Sequence, residues 1–241
     1  MEARLYQGLD LPYPQLDLGC GDGHFASVAF PQGVAVGVDP DGASLREARR
    51  RGTYQILLRA DGSRLPLASE SMASGFSNSV LEHIPDVQAV LHDVARVLQP
   101  GAVWTFTVPN PAYGEELSLA RGWLANSIPG WPAAYRRWFQ RVSRVVNLEA
   151  EEKWTEWLDR AGLELVRTFR YFSPEAMRVL ERGHFLGLPS LVARLATGRW
   201  ILSPTRFNLR LTEVLLRRYD DASPVPDGAF SFYLARKRRS S

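Results

Sequence analysis

The sequence predicts an α/β fold with one mostly parallel sheet, helices on both faces and an inserted helical cap, and three observations lead there. Short apolar runs recur near residues 15–18, 34–39, 56–60, 73–78 and 102–108, each closing on a turn or a polar residue. Between them lie stretches with helical spacing. Over 87–98, Val87, Val90, Leu91, Val94 and Leu98 share one face before Gln99-Pro100-Gly101 stops the helix. Strands that alternate with helices favour parallel pairing, because a parallel neighbour is reached only through a crossover. The third observation is the alternation of Gly19, Gly21 and Gly23 directly after the first apolar run. Glycine lacks a Cβ, so such a turn can take left-handed backbone angles and expose N–H groups at the carboxyl end of a strand, where open α/β sheets bind ligands.

The helix after this turn is carried by Phe25, Ala26, Val28 and Ala29. A dinucleotide fingerprint would need a third glycine where His24 stands, which argues against a standard NAD site. The second run, Val34-Ala35-Val36-Gly37-Val38-Asp39, ends on a carboxylate about 20 residues further on, where nucleotide-binding folds place a ribose-hydroxyl acceptor. Asp39 has a second reading as the N-cap of a helix over 44–51. The third run closes on Asp61 and the fourth on Asn78, which leads into Ser79-Val80-Leu81-Glu82-His83-Ile84.

In this order, the blocks over residues 15–110 resemble the class I S-adenosylmethionine-dependent methyltransferases, the group that includes small-molecule, lipid and quinone methyltransferases. Their first motif, (D/E)-x-G-x-G-x-G, is matched by Asp17-Leu18-Gly19-Cys20-Gly21-Asp22-Gly23. The resemblance implies a Rossmann-like seven-stranded sheet with an antiparallel last strand, and S-adenosyl-L-methionine as cofactor. It implies Gly19, Gly21 and Gly23 at the methionine end with Asp17 orienting the loop, Asp39 on the ribose, Asp61 near the adenine amino group, and Asn78 at the start of a loop facing the sulfur. On the same grounds His83 is the first candidate for a catalytic base, followed by His24 and His184. Its competing role is to cap the helix that begins near Asp86, while Glu82 either orients His83 or is solvated.

Length and composition agree. A chain of 241 residues with 45% hydrophobic content can fill a sizeable core, and Cys20 alone excludes a disulfide framework and reads as a small packing residue. With no signal peptide and no apolar run long enough for a bilayer, a cytoplasmic protein is expected, with a peripheral membrane association as a further option. Charge is uneven. Residues 1–110 hold eight arginines against twelve acids, whereas 111–221 hold seventeen basic residues against thirteen acids and six of the seven tryptophans. Acceptor recognition is therefore expected in the second half.

The organisation expected is a cofactor-binding half over 1–110, a helical insertion over 111–150, a return to the core over 151–172, a helical cap over 173–221, and a last strand with a basic tail over 222–241. The return comprises a helix over 151–160 and strand six over 163–172; the last strand spans 229–235. In the first insertion Tyr135, Trp138, Phe139, Val142, Val145 and Val146 oppose Arg136, Arg137, Arg141 and Arg144. Such a stripe packs as a lid, lies on an anionic membrane surface, or contacts nucleic acid. Nucleic acid is disfavoured, because Asn78-Ser79-Val80-Leu81 lacks the (N/D)-P-P-(Y/F) clamp of base methyltransferases. Tyr113, Trp138 and His184 are the candidate substrate contacts. The sequence thus points to methyl transfer onto an apolar small molecule or lipid-like acceptor. The alternative is a catalytically silent cofactor-binding module for a membrane or a partner. Residues 1–15, with Pro12 and Pro14, are expected to resist regular structure, leaving closure of the cofactor side to the inserted helices or to a homodimer partner.

Overall fold

In the computed structural model, residues 1–121, 125, 127–186, 217–219, 221 and 223–239 are described. Seven strands form one sheet in the order β3-β2-β1-β4-β5-β7-β6. They are β1 Gln15–Leu18, β2 Val34–Asp39, β3 Tyr54–Arg59, β4 Met72–Asn78, β5 Leu98–Pro109, β6 Leu163–Tyr171 and β7 Phe230–Lys237. The first five are parallel, and β7 runs antiparallel between β5 and β6. The short apolar runs are short because central parallel strands are covered on both faces: every residue of β1 is buried. The Pro-Gly stop falls inside β5 instead of before it, where an irregularity opposite Met72 and Ser74 absorbs the break.

Helices α1 Glu2–Gln7, α2 His24–Ala29, α3 Gly42–Arg51 and α4 Val87–Val97 complete the first half. The cap of α3 is Asp41, whose carboxylate accepts from the N–H groups of Ala43 and Ser44, so Asp39 is left for other work. Asp86 likewise caps α4 through the Ala89 N–H, which removes that role from His83. On one face of the sheet, α4 and the helix Glu151–Arg160 bury Val90, Leu91, Trp154 and Leu158. On the other, Tyr6, Phe30 and Phe76 form an aromatic cluster.

Tyr6 belongs to α1, in the segment expected to lack regular structure. The prolines there lie beyond the helix, and burying Tyr6 completely, with its hydroxyl donating to the Ser77 carbonyl, ties the helix to the sheet. Glu2 then reaches across the strand ends to accept from Asn78 Nδ2 and from the Tyr171 hydroxyl, each at 2.8 Å.

The first insertion holds α5 Ala112–Glu115, α6 Ser118–Arg121 and α7 Trp131–Val142; α8 Glu151–Arg160 returns the chain to the core, and α9 Pro174–Leu186 follows β6. Tyr113, Tyr135, Phe139 and Met177 pack into one cluster, so the two added pieces are a single unit among the described residues. Glu181 of α9 joins them. Fully buried, its carboxyl group accepts from the Ser118 N–H and hydroxyl, the Leu119 N–H and the Tyr135 hydroxyl, which satisfies polar oxygens that would otherwise be costly to bury. The rest of the expected cap, over 187–216, lies outside the described residues, as do Trp123 and the side chain of His184.

Candidate functional site

A cavity of about 590 Å³ opens at the carboxyl ends of β1, β2 and β3, bounded by Gly19, Asp39, Asp61, Val80 and His83 from the first half. Its size is that of a small-molecule site. Four of the residues singled out in the sequence therefore meet here, although they lie in four separate blocks. The far wall is Val142, Ser143 and Arg144, from the end of α7 and the turn after it.

The glycine turn adopts the expected left-handed angles, with φ of 74° at Gly19, 52° at Gly21 and 75° at Gly23. Each glycine is needed for a different reason. A Cβ on Gly19 would stand 2.5 Å from both γ carbons of Val80, one on Gly23 would stand 3.0 Å from the Tyr54 ring, and one on Gly21 would meet nothing within 4 Å. Thus Gly23 supplies the close packing that a third glycine gives dinucleotide folds, with no need of one at His24, which is exposed at the start of α2. The expectation of free N–H groups is corrected. Gly19 and Cys20 donate to the Val38 carbonyl, Gly21 to Asp39 Oδ2, Gly23 to the Cys20 carbonyl and His24 to Asp22 Oδ1. A turn spent on itself in this way is a poor phosphate cradle.

Asp39 closes β2 with both oxygens engaged, Oδ2 by Gly21 at 2.9 Å and Oδ1 by the Asp41 N–H at 2.8 Å. Each oxygen keeps a further acceptor site. Asp61 lies on the far rim, its carboxylate held below the usual range by the backbone N–H and hydroxyl of Ser63. Asp17 does not line the cavity. Buried beneath the turn, it accepts from the Tyr54 hydroxyl at 2.6 Å, and desolvation raises its pKa to about 7. Cys20 is also buried, and desolvation pushes its thiol pKa upward, as suits a packing residue.

His83 sits in a single 3₁₀ turn, Leu81–His83, with its ring at the cavity. Its Nδ1 lies 2.9 Å from the carbonyl oxygen of Arg144. A carbonyl only accepts, so Nδ1 carries the proton and Nε2 of the neutral ring holds a lone pair. Arg144 reaches that position with a left-handed φ of 56°, an uncommon state for a residue with a side chain. The segment behind it is stitched to the same loop, because Val146 and Asn147 donate to the Glu82 carbonyl and Asn147 Nδ2 donates to Leu81 and Ile84.

Glu82 is buried rather than solvated. One oxygen lies 3.7 Å from His83 Nε2 and the other has no hydrogen-bond partner among the described residues. Desolvation, reinforced by nearby Glu2, raises its pKa to about 8. Acids raised in this way make the fold pH-sensitive in a definite sense. Well below pH 4 Asp17 and Glu82 are protonated whether the chain is folded or not; as pH rises toward about 8, the unfolded chain loses protons that the folded chain retains, so stability falls. Glu82→Gln is expected to leave the urea midpoint nearly unchanged at pH 4 and to raise stability at pH 8 by on the order of 1–4 kcal/mol. An equal midpoint shift at both pH values would contradict this.

Three other candidates stand off the cavity. Asn78 is committed to Glu2 and to the Thr107 hydroxyl. Tyr113 lies behind the wall, its hydroxyl donating to Ser143 Oγ at 2.9 Å. Trp138 is on the outer side of α7, stacked on Tyr135. Conversely, Val142, Ser143 and Arg144 were not singled out as cavity residues, since nothing local marks where an insertion folds back. Among the described residues no three His, Cys, Asp or Glu side chains group to hold a metal, and no helix is long and apolar enough to cross a membrane.

Comparison with known proteins matches residues 16–106 to a family described as a methyltransferase domain. A protein of Mycobacterium ulcerans described as an uncharacterized methyltransferase is 37% identical over 111 residues, and the match spans 44% of each chain. Among solved structures, a SAM-dependent methyltransferase of Thermotoga maritima aligns with 98% of this chain and 87% of its own at a TM-score of 0.63 and 16% identity. One from Mesorhizobium loti aligns with 98% and 95% at 0.55 and 21% identity. The structural likenesses establish the fold; the sequence match covers the half that builds the glycine turn, Asp39, Asp61 and His83.

Proposed function

We propose, from the match of residues 16–106 to a methyltransferase-domain family, that this chain is a class I S-adenosylmethionine-dependent methyltransferase that transfers the methyl group of S-adenosylmethionine to an apolar or lipid-like acceptor. The observation that carries the proposal is the convergence of Gly19, Asp39, Asp61 and His83 on one cavity. The cavity suits the cofactor. A glycine turn with its N–H groups spent internally favours a nucleoside without phosphates, and Asp39 retains acceptor capacity for ribose hydroxyls. Asp61, ionised and at the rim, would accept from the adenine amino group. When bound, the cofactor supplies an activated methyl on a sulfonium leaving group.

The chain's own contribution is then positioning and water exclusion, with little covalent work to do. Leu18, Val38, Ile84 and Val142 supply an apolar lining, and the insertion forms the wall an acceptor would meet. His83, with Nδ1–H fixed on the Arg144 carbonyl, presents Nε2 to take a proton from an oxygen or nitrogen acceptor, with the buried Glu82 carboxyl 3.7 Å from that nitrogen. The test uses radiolabelled cofactor with a cell lipid and metabolite extract. Transfer into the organic-soluble fraction by the parent chain is expected, reduced about 100-fold or more in His83→Ala with cofactor affinity retained. Binding of cofactor with no label transferred to any fraction would favour the silent module.

A further inference from the structure

Helix α7 divides the amphipathic stripe seen in the sequence. Tyr135 and Phe139 turn into the core of the insertion, but Trp138, Val142 and Val146 remain 42%, 49% and 56% exposed, and Ile128 just before the helix 46%. Arg137, Arg141 and Arg144 are exposed among them. Helix α7 contains no acid, and no carboxylate pairs with these three guanidinium groups among the described residues. Some exposed arginines elsewhere are paired on their own helices, as Arg50 is with Glu47, Arg160 with Glu156 and Arg178 with Glu175; the exposed Arg46 and Arg49 of α3 have no ion pair among the described residues, but that helix carries no exposed large apolar side chain. The uncompensated cations and exposed apolar side chains include Val142 and Arg144, which also form the cavity wall.

We propose that this face docks on an anionic lipid surface, with Trp138 and Val142 entering the headgroup boundary and Arg137, Arg141 and Arg144 contacting lipid phosphates. An uncompensated basic stripe interleaved with apolar side chains complements a surface that is negative outside and apolar beneath, and arginine stems can lie along the apolar layer while their heads reach phosphate. Docking brings the mouth of the cavity against the membrane, so the acceptor is an amphiphile drawn from that layer. The acceptor clause rests on the methyltransferase reading; the docking itself does not.

The test is sedimentation of the full chain with vesicles of phosphatidylcholine alone or mixed with phosphatidylglycerol, at low and high salt. Binding to the mixed vesicles at low salt, weakening as salt rises, is expected. Arg137→Glu with Arg141→Glu is expected to weaken partitioning about tenfold or more, and Trp138→Ser several-fold, with the circular dichroism spectrum and melting temperature unchanged. Absence of binding at low salt, equal binding to neutral vesicles, or loss only on substitution of the basic tail at Arg236 and Arg239 would overturn the proposal. So would tighter binding to transfer RNA that the same arginine reversals abolish. Calorimetry with S-adenosylmethionine on the parent and reversed chains separates the two readings, since a failed cofactor site leaves vesicle binding intact and a failed docking face leaves cofactor affinity intact.

Discussion

Asp39→Ala is expected to weaken S-adenosylmethionine binding by about 100-fold or more, read by titration calorimetry. Two effects add. The substitution removes the carboxylate that would accept from the ribose hydroxyls, and hydrogen bonds to a charged group contribute about 1.5–3 kcal/mol each. It also releases the glycine turn, because Asp39 accepts from Gly21 at 2.9 Å and from Asp41 at 2.8 Å. Asp39→Asn separates them. An amide keeps one acceptor oxygen and gains two donors, so one of the two backbone contacts is lost and affinity falls by an intermediate amount, roughly tenfold. Parent-like affinity in the alanine variant, with the fold intact, would remove Asp39 from the site.

Gly19→Ala is expected to be the most damaging single-methyl change in the first half of the chain, costing about 2–5 kcal/mol of stability. The left-handed backbone alone costs about 1–2 kcal/mol for a residue with a Cβ. The new methyl, 2.5 Å from both γ carbons of Val80, adds an overpacking penalty of about 1–3 kcal/mol. Since Gly19 and Val80 both line the cavity, displacing Val80 also narrows that cavity. Gly21→Ala is the control: with nothing within 4 Å of its Cβ it bears only the backbone cost. Adding Val80→Ala to Gly19→Ala should relieve the clash and leave the backbone strain. Equal urea midpoints for the Gly19 and Gly21 variants would show that the contact with Val80 is not what makes Gly19 necessary.

The first half of the chain was legible because its signals are local. The seven strands fall within a few residues of the apolar runs, and the glycines take the angles that only their lack of a side chain explains. Asp39 and Asp61 were legible as strand-ending acids, since the end of a parallel strand is also the rim of the site. Helix α1 was missed because six residues are too few to signal a helix by pattern, and its stability comes from burying Tyr6 against Phe76.

The candidate substrate side was legible only as a composition. Tryptophan and arginine marked the insertion as the place to look, yet Trp138 points outward while the unremarkable Ser143 and the strained Arg144 form the wall. The bond that fixes the His83 tautomer joins residues 61 apart, and Glu2 meets Tyr171 across 169 positions. No local pattern encodes such pairings, because they depend on how an inserted segment returns to the sheet.

The sequence by itself determined the sheet, the glycine turn and the strand-ending carboxylates that line the cavity, since periodicity, chain reversal and strand endings are set by neighbouring residues. Only the tertiary structure decided which histidine nitrogen is held by the Arg144 carbonyl, that Glu82 is buried beside the ring, and that half of the amphipathic stripe stays uncovered next to the cavity wall. Burial and proton placement are properties of the assembled surroundings, and they are fixed when distant segments exclude water from the same place.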